Sequence, residues 1–298
     1  MEKQVLCFGE VLWDGFGPEK KAGGAPMNVA MHLLQQQISV QMLTRIGDDA
    51  LGDELFTYLR EQNFPTDLVQ RDATLPTCLV TVALDENHQA KYTIPQPVSW
   101  DNIQPEKTLL KEAFPFEMIV YGSLACRSET SFKTLLELLE KPAYKIFDVN
   151  LRPPHFTLNV ISVLAQKADM VKMNEEELLF LSTENEKNLS LEDKMKQFSN
   201  RYHTKTVCVT LGEHGCLVLH LHKFYKHPGF KVDVADTVGA GDSFLATFIA
   251  GILKQQLMEE ILVNASAIGA FVAGSQGANP VYDQIKINAI KKQYPIQK

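Results

Sequence analysis

The sequence predicts an α/β fold, a doubly wound, mostly parallel sheet with a small β-sheet appendage. Three observations carry this. Short apolar or β-branched runs alternate with longer segments of helical period. The clearest helical stripe follows directly on a glycine-rich turn. One stretch places two strand patterns side by side with no helix between them.

Taken in chain order, strands are expected over 5–12, 40–46, 118–122, 145–150, 170–173, 206–211 and 215–222. Helices are expected over 28–36, 52–62, 131–140, 158–168, 175–181, 191–202, 242–255, 259–274 and 283–293. In the first, Pro26 suits the opening turn and Val29, Leu33 and Leu34 follow at helical spacing. In the helix after Asp242, residues Phe244, Leu245, Phe248, Ile249, Ile252 and Leu253 form a stripe that buries one face. Over 77–95 the pattern TCLVTVALDENHQAKYTIP reads as an antiparallel hairpin turning around Asp85–His88. No internal repeat or composition shift marks a second domain, so residues 1–298 are read as one domain, with lid strands from about 12–24 and 66–98 inserted in it.

Composition narrows the function. At 298 residues, 45% hydrophobic and 22% charged, the chain can bury a large core without staples. With 29 Lys and Arg against 36 Asp and Glu, the net charge is −7, which argues against nucleic-acid or anionic-membrane partners. The five cysteines are widely spaced and never form C-x-x-C, so reduced, buried thiols are expected. Glu2, Glu10 and Asp14 interrupt any secretory h-region, and the charge-free stretch 261–282 is broken by Asn264, Gln276, Gly277, Asn279 and Pro280. A soluble, cytoplasmic protein is expected.

Among motifs, the P-loop, G-x-G-x-x-G, H-E-x-x-H and G-x-S-x-G patterns are all missing. His214, His220, His222 and His227 lack metal-ligand spacing and read as solvent-facing strand histidines. The informative segment is Asp236-Thr237-Val238-Gly239-Ala240-Gly241-Asp242. Small residues before a helix leave the N–H groups of Gly239, Ala240 and Gly241 free to meet an anion. Asp242 is then either a general base aimed at that anion's reaction partner or a helix-start residue favoured by the dipole, and spacing alone does not separate the two. Asn28, in Gly23-Gly24-Ala25-Pro26-Met27-Asn28, can offer its amide to a hydroxylated ligand. Asp14 is placed just beyond the first strand, where ligands of open sheets bind, though a solvated aspartate fits the spacing better. Trp13 is read near the site and Trp100 as an anchor for the return of the hairpin.

FGEVLWD, AGGAPMNVA, FDVNLR, the run Asn174-Glu175-Glu176-Glu177, VTLGEHG and DTVGAGDSF, in this order over nearly the whole chain, resemble the PfkB/ribokinase family of sugar kinases. Within the family, GEVLWD, GGAPMNVA and D-x-N-L-R are most similar to bacterial and plant fructokinases. The resemblance implies a Rossmann-like, ribokinase-like fold whose β lid commonly forms a homodimer contact. It implies ATP and Mg²⁺ as cofactors, K⁺ as a further cation, and a small sugar as substrate. It makes Asp242 the catalytic base and Gly239, Ala240 and Gly241 the anion hole. Asp14, Gly24, Asn28 and Arg152 would meet sugar hydroxyls. Asn174 and Glu177 would lie near the triphosphate, Glu177 reaching Mg²⁺ through water, although an N-capped acidic helix start fits the same run. Thr210, Gly212 and Gly215 would form the nucleotide-side loop and Asn264 would line the adenine pocket. The backbone near Asp236 and 274–279 would hold K⁺, where SQGANPVYD departs from the family's usual ending. Three readings follow: a fructokinase; the same chemistry on ribose, 2-keto-3-deoxygluconate or a nucleoside; and a binding regulator without turnover.

Overall fold

A computed structural model describes residues 4–17, 19–84, 90–111 and 114–293. The chain opens with β1 (Gln4–Phe8), β2 (Leu12–Phe16) and β3 (Glu19–Gly23), then α1 (Ala25–Gln35), β4 (Ser39–Gly47), α2 (Ala50–Glu61) and β5 (Val69–Asp72). Next come β6 (Leu79–Leu84), β7 (Ala90–Thr93), β8 (Met118–Gly122), α3 (Glu129–Leu139), β9 (Tyr144–Asp148) and α4 (Leu158–Lys167). β10 (Met170–Asn174), α5 (Glu175–Leu181), α6 (Leu191–Tyr202) and β11 (Thr206–Thr210) follow. The chain closes with β12 (Cys216–His220), β13 (Lys223–His227), α7 (Ala240–Leu253), α8 (Met258–Ala273) and α9 (Gln284–Lys291).

Nine strands form the large sheet in the order β13-β12-β11-β10-β9-β8-β1-β4-β5, parallel except that β12 runs against both neighbours. Helices cover both faces, so central strands are buried on both sides and alternate between two cores. Leu6 and Phe8 of β1 face α3, α4 and α6 through Leu135, Leu164 and Phe198. Val5 and Cys7 face α1, α2 and α7 through Leu33, Leu55 and Phe248. Both faces are sealed. The second sheet, β3-β2-β6-β7, is short, and its β6–β7 pair is antiparallel as the hairpin pattern predicts. The turn at Asp85–His88 lies outside the described residues.

Beyond shifts of one to three residues at element ends, the structure departs from expectation at three places. The expected strand over 5–12 stops at Phe8, because Gly9 adopts φ 143° and a β-carbon there would lie 2.7 Å from the Pro26 ring. Asp14 therefore sits within β2 of the small sheet, opposite Lys21, and not at the end of β1. The strand expected over 215–222 divides, since Leu221 and His222 take φ of 46° and 67° and turn the chain into β13. Within the expected lid span 66–98, Val69–Asp72 joins the large sheet beside β4 instead.

All five cysteines are free and buried. Trp100 is fully buried beneath the Arg127 guanidinium, 4.1 Å from its ring, which fits the anchoring role. His220 meets the Thr206 hydroxyl at 2.9 Å. Among the described residues no three His, Cys, Asp or Glu side chains cluster as metal ligands, and no helix is long and apolar enough to cross a membrane.

Candidate active site

The candidate site is assembled where the carboxyl ends of β9 and β10 meet the first turns of α1 and α7. Ligands of open parallel sheets bind at such an edge. Gly239 caps α7 with φ 79°, and a β-carbon on it would lie 2.5 Å from the Ala278 carbonyl oxygen, so only glycine fits the turn. Asp242 follows in the first turn. Its Oδ2 accepts a 2.8 Å hydrogen bond from Asn28 Nδ2, and Asn28 Oδ1 accepts another from Asn279 Nδ2 at 2.8 Å. Asn28 is buried in the first turn of α1, where Pro26 starts the helix. One N–H of the amide that the sequence pattern offers to a ligand therefore holds Asp242, and the second is left for a ligand.

Of the three expected anion-hole donors, Ala240 N–H turns back to the Thr237 carbonyl at 3.3 Å. Gly239 and Gly241 N–H have no acceptor among the described residues, as befits a helix start. A β-carbon on Gly241 would stand 3.1 Å from Lys172 Nζ, so an ammonium lies against the loop. Lys172 is buried in β10 and bonds both oxygens of Asp148, at 3.0 and 3.2 Å. Burial works against the ammonium, but Asp148, Asp242 and Glu177 together hold its pKa above the ordinary lysine value. Burial pushes Asp242 up from the ordinary carboxylate range, opposed by Lys172, the Asn28 hydrogen bond and Arg152. A carboxylate tuned upward, held by one amide and set beside a cation and free N–H groups, can accept a proton next to an anion.

The other expected residues divide. Asp14 faces this edge from the small sheet, its pKa raised to about 6 by burial against the pull of Arg152. Arg152 is exposed, donates to the Leu151 carbonyl, and acts electrostatically on Asp242, Asp14 and Glu10. Gly24, at φ 118°, is needed for packing: a β-carbon would lie 2.4 Å from the Glu10 carbonyl oxygen. Asn174 and Glu177 form a reciprocal cap, and Glu177 also accepts from Leu151 N–H at 2.7 Å. Asp236 accepts from Val238 and Gly277 N–H, joining the 274–279 segment to the turn before α7. Thr210 ends β11; Gly212 takes φ 58° with open space around it; Gly215 takes φ 83° with no room for a β-carbon beside His227.

Asn264 is not brought to this cluster. It bonds Gln256 and lies near the far end of α7, on the α8 face shared with Ile268, whereas Val263 and Ala267 face Phe230 and Ser266 faces Cys216 of β12. Helical phase accounts for this, since a two-residue offset rotates a side chain by about 200°.

Sequence reasoning missed Lys172, Asp148, Asn279 and Glu10. The signal for Lys172 was present, as the lone charge inside an apolar strand run. Glu10 is buried, its Oε2 has no hydrogen-bond partner among the described residues, and burial raises its pKa to about 7, with Arg152 opposing and Asp242 adding to the shift. The folded state then keeps a proton that the unfolded chain releases near pH 4.5, so this group lowers stability as pH rises from about 4.5 through 7. At ~1.4 kcal/mol per tenfold, the loss is about 3 kcal/mol. Glu10→Gln is expected to flatten urea-unfolding stability across that window and to be the more stable protein at pH 8; a slope equal to wild type would contradict this.

The pfkB family carbohydrate kinase model matches residues 2–285. The chain belongs to this family of carbohydrate kinases. It is 29% identical to fructokinase-1 of Oryza sativa subsp. japonica, over 93% of each chain. The structure is similar to fructokinase from Xylella fastidiosa with bound ATP, with TM-score 0.84, 23% identity and coverage of 98% and 99%. It is also similar to aminoimidazole riboside kinase from Salmonella enterica in complex with aminoimidazole riboside and an ATP analog, with TM-score 0.82, 22% identity and coverage of 97% and 100%. The fold is ribokinase-like, and the large sheet and separate small sheet are the arrangement that this kinase family's motifs imply.

Proposed function

We propose that this carbohydrate kinase is an ATP-dependent fructokinase, forming fructose 6-phosphate and ADP. The observation that carries the reading is Asp242, fixed by Asn28 beside the free N–H groups of Gly239 and Gly241 and the buried Lys172 ammonium. Fructokinase relatives at 29% identity support the choice of sugar.

Asp242 takes the proton of the fructose 6-hydroxyl as its oxygen bonds to the γ-phosphorus of ATP. The bond from that phosphorus to the β–γ bridging oxygen breaks, and ADP leaves. The amides of Gly239 and Gly241, with Lys172, stabilise charge on the transferred oxygens; they are fixed in place before reaction and need no reorganisation. Asp14 and Arg152 orient the sugar. The small sheet that carries Asp14 serves as the lid and excludes water as a competing acceptor. Mg²⁺ in such kinases would be bound through one or two carboxylates and the substrate phosphates, so no three-carboxylate cage is required. Glu177 fits such a site through water, because each of its oxygens accepts only one backbone N–H bond. When bound, Mg²⁺ supplies charge neutralisation on the triphosphate.

The test is kcat/KM of the purified protein for fructose, ribose, 2-keto-3-deoxygluconate and a nucleoside, with MgATP and K⁺. Fructose is expected to exceed the others at least tenfold. A nucleoside or another sugar in first place would overturn the acceptor and leave the chemistry; no turnover with any would overturn both.

A further inference from the structure

A second polar cavity lies away from Asp242, between the C-terminal halves of α1 and α7 and the helices α8 and α9. Its volume is about 270 Å³. Lys254, which ends α7, is twelve residues beyond Asp242, so the two are separated by ~18 Å along the helix. Among the described residues no carboxylate lines this cavity. Lys254 and Lys291 bring two ammonium groups, and among the described residues neither forms an ion pair with an acid. Among the described residues the Lys254 ammonium makes one long 3.5 Å bond, to the Gln36 carbonyl. Lys291 is partly buried, and burial pulls its pKa down, so the charge is held there at a cost that an anion would relieve. Gln256 and Asn264 meet each other at 3.4 Å and keep further amide N–H groups for a ligand.

We infer that this cavity is a binding site for a small phosphate ester with free hydroxyls, the lysines taking the phosphate and the amides the hydroxyls. Its volume is just below the usual range for drug-sized ligands and suits a metabolite of that size. Tyr282 lines the cavity and links it to the candidate active site. Burial lowers the pKa of His32 to about 4, so the ring is neutral. One ring nitrogen donates to the Ala278 carbonyl at 2.9 Å, which leaves the other to accept from the Tyr282 hydroxyl, also at 2.9 Å. The adjacent Asn279 donates to Asn28, and Asn28 to Asp242. A ligand against Tyr282 therefore bears on the segment that positions the partner of Asp242, and coupling between the two sites is reciprocal in binding free energy.

The regulatory half of this inference rests on reading Asp242 as the base; the binding half does not. The test is calorimetric titration of the full chain with sn-glycerol 3-phosphate, beside inorganic phosphate and glycerol, for wild type and the double variant K254Q/K291Q. Glycerol 3-phosphate is expected to bind wild type more tightly than either control and the double variant at least tenfold more weakly, while basal kcat of that variant is unchanged. In kinetics, glycerol 3-phosphate is expected to shift KM or kcat of wild type, and Tyr282→Phe to keep binding but lose the shift. Equal affinity in wild type and double variant, or no binding by wild type, would overturn the site. Binding without any kinetic effect in an active enzyme would overturn the coupling, and an inactive enzyme that still binds would count against the kinase reading alone.

Discussion

Asp242→Asn lowers kcat for sugar phosphorylation about 10³-fold, the middle of the range for loss of a positioned general base. The amide is close in shape to the carboxylate and can still accept the Asn28 hydrogen bond through its oxygen, so the geometry of the α7 start is preserved. What disappears is the group that accepts the proton. Stability should change little, because two effects oppose: burial already disfavours the Asp242 charge, while Lys172 loses one of the acids that hold it. The expected result is a thermal midpoint close to wild type with turnover nearly gone. Retention of more than a tenth of wild-type kcat would remove Asp242 from the role of base.

Lys172→Met has the largest expected effect on stability. It leaves Asp148 buried without its counter-charge, and breaking a buried pair from one side costs about 3–5 kcal/mol. At roughly 2 °C per kcal/mol for a chain of this size, the midpoint should fall by about 6–10 °C. Activity should fall as well, since the ammonium against Gly241 is lost from the anion loop. Two readouts separate these effects. The double variant Lys172→Met with Asp148→Asn should recover most of the stability and none of the activity. In whatever activity remains, the acid limb of the kcat/KM profile should move to higher pH, because Lys172 is the strongest influence pulling the Asp242 pKa down. A double variant as unstable as the single one, or an unmoved acid limb, would show that the pair does not act in this way.

The sequence was most legible where periodicity is enforced by burial. α6, which buries Met195 and Phe198, begins and ends at the expected residues, and the alternation in β1 separates Val5 and Cys7 from Leu6 and Phe8 into two cores. It was least legible where the backbone changes direction on one or two residues. Gly9 ends β1 early and sends Asp14 into the small sheet, and Leu221 with His222 makes two strands from one apolar run. Within the proposed site, motif spacing pointed to the α1 and α7 starts and to the Asn174–Glu177 cap, but it could not say which distant polar groups would bond one another. Asn28 is held between Asp242 and Asn279, and Glu177 reaches Leu151 N–H from another element. Those contacts join residues up to 251 positions apart, beyond the reach of local pattern. Asn264 illustrates the same limit on a helix, where two residues of offset decide whether a side chain lines the cavity beside α9 or meets Cys216 of β12.

A kinase site of this kind moves a phosphoryl group from ATP to a sugar hydroxyl and not to water. The most direct measurement follows ADP release and phosphorus-31 resonances together, with MgATP in the presence and absence of fructose. The expected result is ADP only when fructose is present, with one equivalent of a phosphate ester at the 6-position for each ADP formed. ADP that appears at the same rate without fructose, accompanied by inorganic phosphate in place of the ester, would contradict it.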